Sequence, residues 1–368
     1  MANNNNKTIK AITLLLTGLA LCACSNSDQE PAQAAKPDAT TPTATISPDT
    51  SIKPTDSTDI TIRSTPLTAF YLNLAQQHFD ATCSSIKQLQ QSVQGFVSQP
   101  SEEGLSVLKS EWLVSHNHYA STQLFRNITI KHPTLDHSQT EPVQHALAVR
   151  IDQTPLLPGY IDEIEGYPNS GYIFSTLPID RATLNKEHQF ADSAYVAMGY
   201  HALEFLLWGE DNRTHQAFAP LPATEGESAE ENPALFNIRR SKLLSLITDL
   251  LAEDLSTLCA EWQPIKGFYV TKLQSLPTEQ QYAAINAATE ELISNLQINT
   301  AKVRQANDDN AEYIEIEPHS TFSNSDKDDT QAQLNTLKAL IESDQWKETE
   351  KKQEHTQKLS QLAKALLL

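Results

Sequence analysis

The sequence predicts an all-α protein, and three observations support this class. Glycine is scarce, with 10 in 368 residues, and most of the 19 prolines are separated by long stretches without proline. A protein built from β-sheets needs glycine and proline at its many turns, and this sequence has too few of them in most of its length. Apolar residues also recur every three or four positions over many turns, which is the pattern of amphipathic helices. We therefore expect a chain built from long helices.

The charge of the chain excludes one large class of functions. The sequence has 46 Asp and Glu against 27 Lys and Arg, a formal net charge of −19. A surface this acidic repels phosphate backbones, and we therefore expect no nucleic-acid partner. The same charge is compatible with cationic ligands.

Residues 1–23 are typical of a lipoprotein signal peptide. Two lysines precede an apolar run that is too short to span a bilayer as a mature helix, although an uncleaved membrane anchor is the alternative. The run ends in Leu21-Cys22-Ala23-Cys24, which resembles a bacterial lipobox. We therefore expect acyl chains on Cys24 to attach the mature protein to a membrane. Ser25 favours the outer membrane, facing the periplasm or the cell surface.

The next segment, residues 24–65, should be a flexible and disordered linker. After its cysteine it contains no Leu, Val, Phe, Tyr, Trp or Met, so it cannot bury enough apolar area to offset its ordering entropy. Residues 66–368 should form the all-α domain. Its cysteines are Cys83 and Cys259, and we favour two buried free thiols over a disulfide because nothing in the sequence makes them neighbours.

Apolar spacing predicts the helices in order along this domain. A long helix runs from Leu67 to Phe96, and Ser101 caps a second helix whose buried face carries Trp112. Because a short loop joins them, these helices should be neighbours in a bundle. Residues 130–180 are rich in proline and glycine and should be irregular. The other expected elements are short helices near 143–151 and 161–165, a helix over 191–208, an acidic loop over 219–233, and helices over 234–262, 278–306 and from 328 onward.

Residues 194–208 form the most informative segment. Every residue in it is apolar or aromatic except Gly199, His201 and Glu204, so this helix must be buried. A buried carboxylate needs a partner. His201 and Glu204 lie three positions apart on one face, and Gly199 lets another backbone or a ligand come close. The pair is either a structural hydrogen-bonded pair or part of a ligand site, and the spacing alone leaves both open.

Residues 199–211 resemble the Gly-x-His-x-x-Glu signature of the imelysin family of bacterial envelope proteins. The second helix departs from the family pattern, because His116 stands where the family often has Arg and Gln123 where a Glu is frequent. Other segments that are similar to family blocks are 158–173, the helix that opens with Arg239-Arg240, and 319–326.

The resemblance implies both a fold and a site. The fold would be two packed helical bundles, divided near residues 215–233, with the signature facing the seam between them. Some members of the family are described as insulin-cleaving metallopeptidases of the outer membrane, and others as iron-regulated uptake proteins that bind metal. By this resemblance His201 and Glu204 would be metal ligands.

Two ligands are too few for a tight metal site, so other residues must complete it. An oxygen-rich set suits iron, manganese or calcium better than structural zinc, and we expect a divalent metal with iron first and zinc, manganese or calcium as alternatives. A run from His137 to His145 has helical spacing, but Pro142 breaks its register. The candidates for completing the site are Asp162, Ser323, Asp326 and Asp329, with His116 and His319 as weaker ones.

Three functional hypotheses follow. The first is a lipid-anchored envelope protein that binds a metal or a metal-containing ligand through His201 and Glu204, as a component of an iron-uptake system. The second is a metal-dependent endopeptidase that uses Glu204 as a base or a ligand. The third is a non-catalytic module that docks a partner. The zinc-protease motif His-Glu-x-x-His is absent, and the residues therefore favour binding over catalysis.

Overall fold

The computed structural model describes residues 64–130, 143–210, 212–220, 233–306, 318–346 and 349–366. The expected signal peptide, the lipidated Cys24, the linker and most of the acidic loop lie outside these residues. From Ile60 onward the chain forms one unit. The expected division of this unit into two bundle halves near 215–233 stays a prediction.

The first two helices are those that the apolar spacing predicts. Helix α1 spans Pro66–Ser98 and helix α2 spans Glu102–Ser121, and the two pack side by side. Thr65 caps α1 by accepting a hydrogen bond from the Thr68 amide, and Ser101 caps α2 by accepting one from the Gly104 amide at 3.0 Å. The caps fix where each helix begins.

The region between α2 and the signature is irregular, as expected, and the predicted helix over 143–151 is confirmed, but the second predicted helix is not formed. No helix covers 161–165, because the backbone at Asp162 is extended and Ile164 pairs with Tyr167 across a turn in which Gly166 has φ +80°. The helices that do form are α3 (Gln123–Arg126), α4 (Val143–Ile151), α5 (Pro158–Ile161), α6 (Gly171–Phe174) and α7 (Arg181–Glu187).

The signature helix is shorter than the sequence predicts. Helix α8 spans Tyr200–Trp208, whereas the apolar run predicted a start near residue 191. Gly199 has φ +89°, which is outside the helical region, so the run before it cannot continue into α8. A Cβ at Gly199 would lie 2.5 Å from the Arg150 carbonyl oxygen and 2.6 Å from that of Ile151. The expected close approach at Gly199 is therefore confirmed, and its partner is the end of α4.

The second part of the chain is almost entirely helical in the described residues, which contain no β-strand beyond the bridge at Ile164. The long helices over 234–262 and 278–306 are confirmed, and the C-terminal region forms two helices. One helix, α10, was not predicted. The elements after α8 are a 3-10 turn at His215–Phe218, α9 (Pro233–Glu261), α10 (Phe268–Ser275), α11 (Thr278–Ala306), α12 (Asp326–Ile341) and α13 (Thr349–Leu366). No described helix combines the length and the apolar character needed to cross a membrane.

The centre of α1 packs against α9, and a disulfide joins them there. Phe79 stacks on Trp262 with ring centroids 5.1 Å apart. Cys83 and Cys259 form a disulfide, with their Cα atoms 6.6 Å apart. The expectation of two free thiols was therefore wrong. Each helix is visible in the periodicity of its own residues, but periodicity does not reveal which helices pack together.

Candidate metal centre

Three imidazole rings converge on the carboxylate of Asp152. The Nε2 atoms of His116 and His201 lie 2.9 Å and 3.0 Å from Asp152 Oδ1, and His319 Nε2 lies 3.6 Å from Asp152 Oδ2. One donor atom from each of the four residues lies within 4.8 Å of the other three. We call His116, Asp152, His201 and His319 the candidate metal centre.

Four separate elements supply these residues. His116 lies on α2 with its ring stacked on Trp112 at 4.7 Å, and His201 is the second residue of α8. Asp152 follows the last residue of α4, and it comes beside His201 because Gly199 admits the end of α4. His319 belongs to the turn that precedes α12. The side chains of His116 and His201 are buried, whereas that of His319 is 42% exposed, so the centre is open to solvent on the His319 side.

The ring of His201 is oriented by Glu204. His201 Nδ1 lies 2.9 Å from Glu204 Oε2 and makes a hydrogen bond with it. Glu204 is ionised and can only accept, so Nδ1 carries a proton and Nε2 is the nitrogen that faces Asp152. Among the described residues this buried Nε2 has no well-aligned hydrogen-bond partner. A buried imidazole nitrogen without a well-aligned partner, facing a carboxylate and two more imidazoles, fits a metal ion that would replace any proton on it.

The two ring nitrogens of His116 both face carboxylates. Its Nε2 is hydrogen-bonded to Asp152 at 2.9 Å, and its Nδ1 lies 3.0 Å from Asp329 Oδ2. Burial lowers the pKa of His116, but the two carboxylates outweigh burial and raise this pKa to about 10. His116 is therefore protonated at neutral pH, and a metal ion would take the place of its Nε2 proton while Asp329 faces Nδ1.

The pKa shifts of Asp152 and His201 have the same origin, whereas burial lowers the pKa of His319. Burial raises the pKa of the Asp152 carboxyl, but the charges of His319 and His116 and the contacts of both buried histidines hold it well below its usual range. Burial lowers the pKa of His201, and the contacts with Asp152 and Glu204 more than reverse this. Asp152 is therefore an anion in the fold, which is the state that a metal ion requires of it.

The turn that carries His319 is attached to the same carboxylates. Glu204 Oε1 accepts hydrogen bonds from the amides of Phe322 and Ser323, at 3.1 and 2.7 Å, and from the Ser323 hydroxyl at 2.7 Å. The Ser325 hydroxyl lies 3.1 Å from Ser323 Oγ and 3.3 Å from Asp329 Oδ2, and it can donate to one of them at a time. A continuous series of polar contacts thus links His201, through Glu204 and this turn, to Asp329 beside His116.

The structure brings together only some of the residues that the sequence suggested. Glu204, Ser323 and Asp329 are not among the four residues of the candidate metal centre but support them from outside. Glu204 bonds to His201 and accepts from Ser323, and Asp329 contacts His116. Asp326 accepts a hydrogen bond from the Ser320 amide at 3.0 Å and stabilises the turn. His137 and the side chain of His145 lie outside the described residues.

Asp162 belongs to a different cluster. Arg240 binds both of its oxygens, with Nε 2.6 Å from Oδ2 and Nη2 2.8 Å from Oδ1, and Arg213 also donates to Oδ2. All three side chains are at most 10% exposed. The carboxylate of Asp162 is thus fully engaged by two guanidinium groups and is not among the four residues of the candidate metal centre.

Asp152 is the residue of the centre that the sequence did not single out. It stands in the proline-rich stretch between α4 and α5, with no ionisable partner at a recognisable spacing. The available signal was indirect. Gly199 predicted a close approach by another backbone or by a ligand. An acid next to such a backbone would have been a candidate, but only the fold identifies the approaching segment as residues 150–151.

A comparison with protein families bears on this site. The family model described as Imelysin, a peptidase family, matches residues 75–365. The chain belongs to the imelysin family. The matched range includes all four residues of the candidate metal centre and the imelysin signature at the start of α8.

Among solved structures, the crystal structure of an imelysin-like protein from Psychrobacter arcticum 273-4 aligns over 82% of this chain and 83% of its own, with 15% identity and a TM-score of 0.47. Among curated proteins, none matches this chain.

The three residues of the imelysin signature have separate roles in this chain. Gly199 admits the end of α4, His201 faces Asp152, and Glu204 connects His201 to the turn that carries His319. His116 contributes a second buried imidazole.

Proposed function

We propose that this protein of the imelysin family is a lipid-anchored protein of the bacterial envelope that binds a divalent transition-metal ion, iron first, as part of iron uptake. The observation that carries the metal proposal is the convergence of three imidazole Nε2 atoms on the Asp152 carboxylate. Membrane attachment and the envelope location rest on the lipobox-like segment that ends at Cys24.

The donor set narrows the choice of metal. Three imidazole nitrogens and one carboxylate are donors that suit iron, zinc, copper and nickel, whereas calcium and magnesium prefer oxygen donors. The oxygen-rich completion expected from the sequence, which would suit iron, manganese or calcium, does not match these four residues. Histidines combined with a carboxylate and an open side are a ligand type that ferrous iron uses. We therefore keep iron as the proposed ion.

The exposure of the centre favours transfer of an ion over permanent storage. His319 is 42% exposed and Asp152 is 15% exposed, so an ion can reach the centre from solvent and leave on the same side. The chain as a whole has a net charge of −19, which attracts cations toward it. Both properties suit a protein that takes up an ion and passes it on.

The geometry of Glu204 argues against the peptidase hypothesis. A metallopeptidase needs a base with an oxygen free to take a proton from water. In this structure Oε2 of Glu204 is bonded to His201, and Oε1 accepts from the Phe322 and Ser323 amides and the Ser323 hydroxyl. We therefore propose no catalytic role for Glu204. No contact within the part of the chain that the structure describes favours the docking-module hypothesis.

Calorimetric titration tests this proposal directly. Mature protein stripped with a chelator should bind one equivalent of Fe²⁺ under anaerobic conditions, and Zn²⁺ should compete for the same centre. Mn²⁺ and Ca²⁺ should bind more weakly, because they gain less from imidazole ligands. If neither Fe²⁺ nor Zn²⁺ binds, or if His201→Ala binds them as tightly as the wild type, the metal proposal is wrong.

Glu204 should act as a positioning residue, and two substitutions test this role. Glu204→Ala should weaken Fe²⁺ binding about 10- to 100-fold, the usual cost of losing the residue that orients a metal-binding histidine. Amide hydrogen exchange at Phe322 and Ser323 should become faster even without metal, because both amides lose their acceptor.

Glu204→Gln is the matched control for this prediction. Its side-chain oxygen can still accept from the two amides, so their exchange should stay close to that of the wild type. Its amide nitrogen is a donor and cannot accept the Nδ1 proton of His201, and metal binding should therefore remain weak. Unchanged exchange at both amides in Glu204→Ala would contradict the positioning role.

A further inference from the structure

The turn between α9 and α10 presents an apolar tip to solvent. Ile265 is 91% exposed, the highest value for any large apolar side chain in the described residues, and Phe268 is 43% exposed. Ile265 also has φ +73°, a conformation that is unfavourable for a β-branched residue. The fold holds this side chain outward although no described residue covers it.

The backbone of this turn is tightly closed. The Gly267 amide donates to the Gln263 carbonyl at 2.8 Å, and the Lys266 amide donates to that of Pro264 at 2.9 Å. A Cβ at Gly267 would lie 2.6 Å from the backbone nitrogen and oxygen of Gln263. A side chain at position 267 would therefore clash with the backbone of this turn, so Gly267 is required for the tight turn that keeps Ile265 exposed.

The segment that forms the tip is locally basic, although Glu261 and Glu279 flank it. Residues 262–278 contain Lys266 and Lys272 and no acidic residue, in a protein of net charge −19. Lys272 Nζ lies 5.8 Å from the centre of the Phe268 ring. Exposed isoleucine and phenylalanine next to lysines are the combination that binds the surface of an anionic bilayer.

The N-terminal end of the folded unit lies beside the same helix. Gln274, near the end of α10, donates a hydrogen bond to the Ser64 hydroxyl at 3.0 Å. Helix α10 spans Phe268–Ser275, so at about 1.5 Å per residue the chain enters the fold roughly 12 Å from the tip. The segment expected to carry the lipid anchor therefore joins the domain next to the cationic, apolar tip.

We propose that the tip formed by residues 264–268, together with Lys272, contacts the anionic bilayer surface to which the protein is anchored. This inference rests on the proposed lipid anchor at Cys24. An acyl anchor on the same chain would keep the domain at a high effective concentration near the membrane. Weak contacts by two apolar and two basic side chains are then enough to orient the domain.

A single fluorescent label tests the contact. In the mature protein Cys24 is acylated and Cys83 and Cys259 are paired, so a cysteine introduced by Ile265→Cys is the one free thiol. The acylated full-length protein is labelled there with an environment-sensitive fluorophore and reconstituted in phosphatidylcholine vesicles that contain phosphatidylglycerol. We expect a severalfold rise in emission and quenching by spin-labelled lipid. Both effects should shrink in pure phosphatidylcholine and after Lys266→Glu with Lys272→Glu.

Ile298→Cys on α11 provides the matched control, because Ile298 is also exposed, at 50%. A label there should keep the emission that it has in water. If the protein floats with the vesicles but the label at position 265 stays in water, the membrane contact is wrong and the lipid anchor stands. If the protein does not float, both are wrong. A label that is already shielded without vesicles would indicate a protein partner or a second copy on the tip, and would also overturn the proposal.

Discussion

Asp152→Ala should weaken Fe²⁺ and Zn²⁺ binding by about 100-fold or more. Asp152 is the residue on which all three imidazoles converge, and its carboxylate supplies the negative charge of the centre. Four-ligand zinc sites bind with about 10–16 kcal/mol, so each ligand is worth roughly 3 kcal/mol, which is about a 100-fold change in affinity. Isothermal titration of wild type and variant measures the difference.

The control for this prediction removes a charge without removing a ligand. Asp328 is exposed in the first turn of α12, and Asp328→Asn takes away the same single charge near the centre. Its effect on affinity should stay within a few fold, because charges in water are screened. If Asp152→Ala and Asp328→Asn weaken metal binding equally, Asp152 acts only through the overall negative charge of the protein and is not a metal ligand. The circular dichroism of both variants should match the wild type, which excludes misfolding.

Asp162→Asn should lower the free energy of unfolding by about 3–5 kcal/mol at pH 7, the usual cost of removing one partner from a buried ion pair. Arg213 and Arg240 would then keep their charges inside the protein without a counter-ion. Urea or guanidinium denaturation of both proteins measures the change. Glu163→Gln is the matched control. The Glu163 carboxylate is 47% exposed and lies 3.9 Å from Arg240, so removing its charge should change the free energy of unfolding by less than about 1 kcal/mol.

The pH dependence of this difference gives a second test. Burial raises the pKa of Asp162, but the hydrogen bonds and charges of Arg240 and Arg213 outweigh burial and hold it below its usual value of 3.8. A carboxyl with a lowered pKa stabilises the fold above the unfolded pKa and loses this effect as the pH falls through the folded one. The difference between wild type and Asp162→Asn should thus be constant from pH 7 to about pH 5 and shrink below pH 3.8. A difference that grows toward acid pH would contradict the ion-pair account.

The sequence was sufficient for the helices whose signals are local. The apolar stripes and the caps at Thr65 and Ser101 determine α1 and α2, and both were predicted. The start of α8 was missed because an apolar run looks helical by composition, whereas the backbone at Gly199 is held out of the helical region by contact with the end of α4. That contact joins residues about fifty positions apart along the chain, and no local pattern encodes it.

The site shows the same division between local and non-local signals. His201 and Glu204 stood out because two ionisable residues in a buried apolar helix must have partners. Their partners could not be assigned from the sequence, since Asp152 reaches His201 only through the approach at Gly199. Asp162 was a reasonable candidate as an acid in a functional loop, yet Arg240 and Arg213 neutralise it from α9 and from the segment after α8. Both the ionic partners of Asp162 and the disulfide partners Cys83 and Cys259 are determined by how the helices pack, which the sequence does not reveal.

The most direct test of the central claim is anomalous diffraction at the iron absorption edge from crystals of the Fe²⁺-loaded protein. We expect one peak within bonding distance of Asp152 and of Nε2 of His116, His201 and His319, with Glu204 still bonded to His201 Nδ1 and to the turn at 322–323. A peak bonded to Glu204 in place of Asp152, or no peak among these four residues, would contradict the account.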